Sequence, residues 1–320
     1  MASTALLCAS HSPLLYCYEK KPTDLEALQK TFVERAEAIT RFAPELVICF
    51  GSDHFNGFFK QLMPAFCIGL QAEAESDIGG FPGKLDVPGD IANACVEYLR
   101  LNDVDAAVSQ QMRVDHAFSQ TIHVMTGALD RYPLIPVFIN SLCKPYVPFR
   151  RSRLLGEAIG KFVKQLDKRV LLMGSGGMSH HPARYYPEAG DAEESVAAWQ
   201  ESGGKDALSM SREEWLERLD KMHHEGAAMI ARGERTAKDM RLNPDRDRAF
   251  LEVICGNELG LLDDWDTSVI VEEAGIGFME LHSWIAAVAA HRVAGGSQPK
   301  VDFYSLAPEI GIAAGVIHAG

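Results

Sequence analysis

Four histidines stand close behind hydrophobic runs or short apolar strings. Imidazole is the side chain best suited to hold a borderline metal ion or to move a proton near neutral pH. His11 follows Leu6-Leu7-Cys8-Ala9, and His54 follows Glu45-Leu46-Val47-Ile48-Cys49-Phe50. His180 comes after Val170-Leu171-Leu172-Met173 and a glycine turn, and His116 lies in Val114-Asp115-His116. In an open α/β sheet, groups just past the carboxyl ends of the strands converge on one crevice. Two imidazoles and one carboxylate on one side of a metal leave its other side open. That suits non-haem Fe(II) working with dioxygen, and catalytic Zn(II) uses similar ligands. Two further imidazoles, with an ordinary pKa of ~6.5, could then act as acid and base.

Each of these residues also has a plainer reading. A histidine beside a strand can be a hydrogen-bonded structural residue, and Asp53 and Asp115, each preceding a histidine, can simply cap loops. Gly174-Ser175-Gly176-Gly177 can cradle an anion or merely let the chain bend. His223-His224-Glu225 lacks the second histidine of a zinc-protease motif, because Ala228 stands four residues after His224, and reads as a surface helix. His123, His282, His291 and His318 read as surface or satisfied core residues.

The elements that must position the four histidines alternate between apolar runs and amphipathic stretches. Leu25, Leu28, Phe32, Ala36 and Ile39 predict a helix over 24–41, with a capping box in Thr23-Asp24-Leu25-Glu26. A strand ends at Phe50, a helix covers 89–101, and a strand follows at Val104–Val108. Leu134–Ile139 reads as a strand whose Pro136 places it at an edge or bulge. A helix over 152–166 leads to the strand 170–173, and a last helix spans 279–293. This pattern predicts an α/β fold with a central mixed sheet flanked by helices, a single domain over 1–320. Residues 188–248 are charged and helical, with a capping box at Ser211-Arg212-Glu213-Glu214, and form a cover over the site or a subunit contact.

Composition narrows the class. A chain of 320 residues, 47% hydrophobic and 23% charged, is ordinary for a globular enzyme. A formal charge of −13 argues against nucleic acid and anionic membrane as partners, and requires a local Arg or Lys if the substrate is an anion. The seven cysteines show no CxxC spacing, which points to a reducing, cytoplasmic compartment. The apolar amino terminus lacks the basic flank of a signal peptide, and no run approaches the ~20 apolar residues of a membrane span.

Several strings taken together resemble the class III extradiol ring-cleaving dioxygenases, most closely the group acting on 3-(2,3-dihydroxyphenyl)propionate. They are SHSPL at 10–14, PELVICFGSDHFNGFF at 44–59, MRVDHAF at 112–118, YPLIPVFIN at 132–140, RLLGEAIGKF at 153–162 and KRVLLMGSGGMSH at 168–180. Weaker matches continue in LNPDRDRAF at 242–250 and ELHSWIAAVAA at 280–290. The resemblance implies that His11, His54 and Glu280 bind Fe(II), with Glu272 and Glu273 as alternatives to Glu280. It implies that His116 and His180 are the acid–base pair, His180 as base and His116 as acid. The expected reaction joins a substituted catechol and dioxygen to give a 2-hydroxy-6-oxo-dienoate, in a homo-oligomeric enzyme. Ala117 and His181 depart from the family pattern, and the charged segment from Glu188 to Arg241 matches poorly.

A substrate carboxylate would need a cation, and Arg150, Arg151, Arg153 and Arg184 are candidates, most of them expected on the solvated surface. Two other functions remain open at this point: a Zn(II) hydrolase with a His/His/Glu site, and a binding protein that reuses the fold without chemistry.

Overall fold

The computed structural model describes residues 3–182, 193–205, 209–256 and 258–320. Strands β1 (Ser3–Ala9), β2 (Leu46–Gly51), β3 (Phe66–Gly69), β4 (Ala72–Ala74), β5 (Gly83–Leu85) and β6 (Ala107–Ser109) come from the first third. They are followed by β7 (Met112–Val114), β8 (Leu134–Ile139), β9 (Arg169–Ser175), β10 (Lys300–Ala307) and β11 (Ile312–Ala319). The helices are α1 (Leu25–Phe42), α2 (Gly89–Leu101), α3 (His116–Thr126), α4 (Phe149–Val163) and α5 (Glu194–Ser202). Then come α6 (Arg212–Ala231), α7 (Pro244–Cys255), α8 (Thr267–Ala274) and α9 (His282–Val293).

Eight strands form one mixed sheet in the order β10-β11-β1-β9-β2-β8-β3-β6. Its centre, β1-β9-β2-β8, is parallel, and antiparallel β11 and β3 flank it. Strands β2 and β8 are buried along their whole length, as expected where helices cover both faces of a parallel sheet. Side-chain alternation divides the core accordingly. Leu6, Cys8, Ile48, Phe50, Val170 and Leu172 pack on the face of α4 and α9. Leu7, Ala9, Val47, Cys49, Leu171 and Met173 pack on the face of α1 and α3. A small second sheet, β5-β4-β7, leads into α3.

Several local expectations are corrected. Pro136 lies in an interior strand, paired with Cys49 of β2, and not at an edge. The registered ladder to β3 runs from Val137 to Ile139, so the residue that lacks an N–H stands just outside it. No capping box forms at α1: Asp24 accepts from Ser305, and Glu26 pairs with Lys21. A tertiary partner takes Asp24 and a local lysine takes Glu26. The box at Ser211 and Glu214 does form, at the start of α6. The strand expected at 104–108 begins at Ala107, and the helix expected over 152–166 is shifted to 149–163.

Helix α9 is the hydrophobic axis of its layer, buried from His282 to His291. It approaches α4 closely because α4 carries glycines at the contact. A Cβ at Gly156 would stand 2.2 Å from the Ala286 carbonyl oxygen, and one at Gly160 would stand 2.4 Å from that of Ala290. Gly156→Ala should therefore force the helices apart and cost about 1–3 kcal/mol, read as a lower thermal midpoint. Gly260→Ala, with nothing within 4 Å of the added carbon, should leave the midpoint nearly unchanged.

Candidate metal centre and active site

The adjacent parallel strands β1, β9 and β2 deliver three of the four histidines. His11 lies two residues beyond Ala9, His54 three beyond Gly51, and His180 five beyond Ser175. His116 opens α3, where Asp115 caps the helix by accepting from the Ala117 amide. Glu280 sits in a short 3-10 turn, Ile276–Leu281, that runs into α9. All five side chains line one cavity, open at its mouth to solvent.

Each imidazole is anchored through Nδ1. His11 Nδ1 lies 3.0 Å from Ser175 Oγ, and His54 Nδ1 donates to Asp115 Oδ2 at 3.1 Å. His116 Nδ1 donates to Asp77 Oδ2, and His180 Nδ1 to the Met178 carbonyl at 2.8 Å. Fixing Nδ1 in this way orients a ring and presents Nε2 to a ligand. Nε2 of His54 and His11 lie 3.0 and 3.4 Å from the two oxygens of Glu280, and that of His180 lies 3.9 Å away. His54 and His116 stack with ring centroids 4.3 Å apart, and one ring nitrogen from each of His11, His54 and His116 falls within 4.8 Å of the others.

The electrostatics are those of buried imidazoles around two ionised carboxylates, Glu280 and Asp115. Burial pushes His11 down to about 3 and His116 down to about 4, and it lowers His180 as well. In His54 burial also opposes the charge, but the Asp115 and Glu280 carboxylates prevail and hold it well above the ordinary range. For Glu280, burial is outweighed by His11, His54 and His180, which keep its carboxyl below the usual values. Among the described residues no Lys or Arg pairs with Glu280, whose remaining partner is the Gly177 amide, 2.7 Å from Oε2.

This donor set fits a divalent first-row metal. Adjacent ligands bound at about 2.1 Å stand about 3 Å apart, close to the separations between Glu280 and the two imidazoles. The glycine turn is neither a ligand nest for an outside anion nor a mere bend. Its Gly177 amide holds Glu280, a Cβ at Gly176 would collide with the Glu280 backbone, and one at Gly277 would overlap the His180 ring. Asp53 does cap a loop, accepting from the amides of Asn56, Gly57 and Phe58. Asp115 caps a helix and also takes the His54 amide, the His54 ring and the Asn56 side chain. The loop is strained at Phe55, a buried bulky residue with φ of 61°.

Other candidates lie elsewhere. Glu272 and Glu273 are exposed on α8, the latter paired with Arg246. Arg153 is engaged by Asp263 and Glu157, and Arg150 extends toward Asp263 from the exposed side of α4. Arg151 is on the same helix, none of the three lines the cavity, and Arg184 falls outside the described residues. The His223-His224-Glu225 string needs correction. His224 is exposed, but His223 is buried, lines the cavity and lies 6.5 Å from the His116 ring. Its signal in the sequence was its place on the apolar stripe of α6, four residues after Leu219, rather than any metal motif. Arg235 also lines the cavity and carries no sequence signal of its own.

Helices α5 and α6 close this space from above the His54 loop. Trp199 and Trp215 stack at 5.3 Å, and their indole N–H groups donate to the Phe55 carbonyl and to Asn56 Oδ1. Arg212 adds two hydrogen bonds to the Asn56 carbonyl. On the opposite side, Asp247 holds both the amide and the hydroxyl of Ser179, next to His180.

A mixed α/β sheet that brings His11, His54 and Glu280 together at the carboxyl ends of its parallel strands defines a candidate metal site. Comparison with known proteins identifies the family. Residues 5–313 match the model of the family described as the catalytic LigB subunit of aromatic ring-opening dioxygenase, and the chain belongs to that family. It is 40% identical over 306 residues to a 2,3-dihydroxyphenylpropionate/2,3-dihydroxicinnamic acid 1,2-dioxygenase of Mycolicibacterium gilvum, covering 96% of this chain and 94% of that protein. A protein of the same description from Cupriavidus necator is 38% identical over 312 residues, covering 95% and 94%. An uncharacterised protein from Escherichia coli K12, 11% identical with a TM-score of 0.53 over 99% of both chains, shares the fold. The chain is thus an aromatic ring-cleaving dioxygenase, which sets aside the hydrolase and the scaffold.

Asp115→Ala would strand four donors, the His54 amide and ring, the Asn56 side chain and the Ala117 amide. It is expected to cost about 3 kcal/mol of stability, seen as a lower urea midpoint.

Proposed function

We propose that the chain is an Fe(II)-dependent extradiol dioxygenase. It would open the ring of a 3-substituted catechol such as 3-(2,3-dihydroxyphenyl)propionate or 2,3-dihydroxycinnamate to a 2-hydroxy-6-oxo-dienoate. The observation that carries this reading is the buried Glu280 carboxylate meeting the Nε2 atoms of His54 and His11 at 3.0 and 3.4 Å. These three residues would hold the iron. When bound, Fe(II) supplies a centre where a catechol and dioxygen are held side by side and can exchange electrons.

The remaining imidazoles divide the proton work. His180 is tied at Nδ1 to a neutral carbonyl, so its Nε2 lone pair is left to take a proton from a catechol hydroxyl. His116 is tied at Nδ1 to Asp77, which fixes its ring and turns Nε2 to the cavity, and by the family likeness it is the group that gives a proton back as the ring opens. Both atoms of dioxygen enter the product, one in the new carboxylate and one in the new ketone. The tryptophan-sealed cover over the His54 loop limits competing water. A single functional unit over 1–320, homo-oligomeric assembly and a cytoplasmic setting complete the proposal. They rest on the family likeness and on the cysteine spacing.

Anaerobic loading with Fe(II), followed by aeration with 3-(2,3-dihydroxyphenyl)propionate, should give a coloured ring-opened product with one dioxygen consumed per catechol. Cleavage between the two hydroxylated carbons would overturn the extradiol assignment. His116→Ala and His180→Ala should keep bound iron while losing about 10²–10⁴-fold in kcat. His11→Ala and His54→Ala should instead lose the iron, measured directly by metal analysis. Iron loss in the first pair, restored by excess metal, would mean that ligand and acid–base roles are exchanged.

A further inference from the structure

One wall of the cavity is a single face of α6. Trp215, Leu219, His223, Gly226 and Ile230 follow at spacings of four, four, three and four, and all five line the cavity. At Gly226 the wall has no side chain, and the guanidinium of Arg235 lies over that gap: a Cβ added there would come 3.8 Å from Nη1. The other terminal nitrogen, Nη2, donates to the His181 carbonyl at 2.6 Å. The guanidinium is thus held between α6 and the loop that carries His180.

Among the described residues lining the cavity, Arg235 is the one with a permanent positive charge. On a chain of formal charge −13, an anionic ligand needs such a local cation. His223 does not compete for that role. Its Nδ1 donates to the Leu219 carbonyl at 2.7 Å, and burial pushes it down to about 3, so it supplies no cation there.

We propose that Arg235 binds the side-chain carboxylate of the catechol substrate and sets the preference for carboxylated over neutral catechols. This rests on the ring-cleavage reading above. A carboxylate on a two-carbon arm stands several bonds from the hydroxyl oxygens, so its partner belongs on the cavity wall and not among His11, His54 and Glu280. A guanidinium carries five N–H donors and can serve a backbone carbonyl and a carboxylate together.

The test compares kcat/KM for 3-(2,3-dihydroxyphenyl)propionate with that for 3-propylcatechol, which has the same arm length and no charge. In Arg235→Met the ratio of the two should fall about 10- to 100-fold, mostly through KM for the propionate. Arg235→Lys should recover part of it, and Arg235→Glu should lower it further. Turnover of 3-propylcatechol by each variant reports that the protein is folded and loaded with iron. If the wild type opens both catechols and the ratio in Arg235→Met is unchanged, or both substrates decline equally, the Arg235 assignment is overturned alone. If the wild type opens neither, the ring-cleavage reading fails, and the assignment fails with it.

Discussion

The site is organised around the buried carboxylate of Glu280. Glu280 is 1% exposed, and a carboxylate removed from water costs several kcal/mol unless charges and donors around it compensate. Here the compensation is a ring of imidazoles and one peptide amide, with no lysine or arginine paired to it among the described residues. That choice of partners gives the site its chemistry. A lysine or arginine would pair with Glu280 permanently, whereas imidazoles, which can give up a proton, leave it able to share a metal. The surrounding sequence bends to this requirement: Gly176 and Gly277 are small because the Glu280 backbone and the His180 ring pass too close for a Cβ.

The imidazoles are positioned by two different means. His11, His54 and His180 are set by the sheet, because β1, β9 and β2 are parallel neighbours whose carboxyl ends lie side by side. His116 arrives from the small second sheet at the start of α3, and its ring is fixed by Asp77 from a distant loop. The same aspartate that caps α3, Asp115, also holds His54. Helix nucleation and ring orientation therefore share one carboxylate, and the two histidines stack as a consequence.

The cover closes the centre from the side opposite the sheet. Its tryptophans are pinned to the two residues after His54, while the stripe of α6 and the Arg235 guanidinium form the outer wall. The histidine-bearing floor comes from the regular sheet, and the wall facing it comes from α6 and Arg235. Substrate choice can then vary in the cover without disturbing the strands that hold the histidines.

Hydrophobic runs and the histidines behind them were enough to read the α/β class, the main strands and the convergence of His11, His54 and His180. Those features depend on local periodicity and on the general direction of parallel strands. Glu280 came from family likeness, since a lone glutamate before a helix has no periodic signature. Long-range partners decided the rest. Asp77 and His116 are 39 residues apart, and His54 and Glu280 are 226 apart. Pro136 looked like an edge residue because its missing N–H is a local property, while the extent of the β3 ladder beside it is a tertiary one. His223 looked like surface because its charged neighbours dominate the string, and only the packing of α6 over the cavity turned that one face inward. The sequence alone determined which residues could do chemistry and which elements would carry them. The tertiary structure decided which would meet, because burial and partner choice are set by contacts that no local window contains.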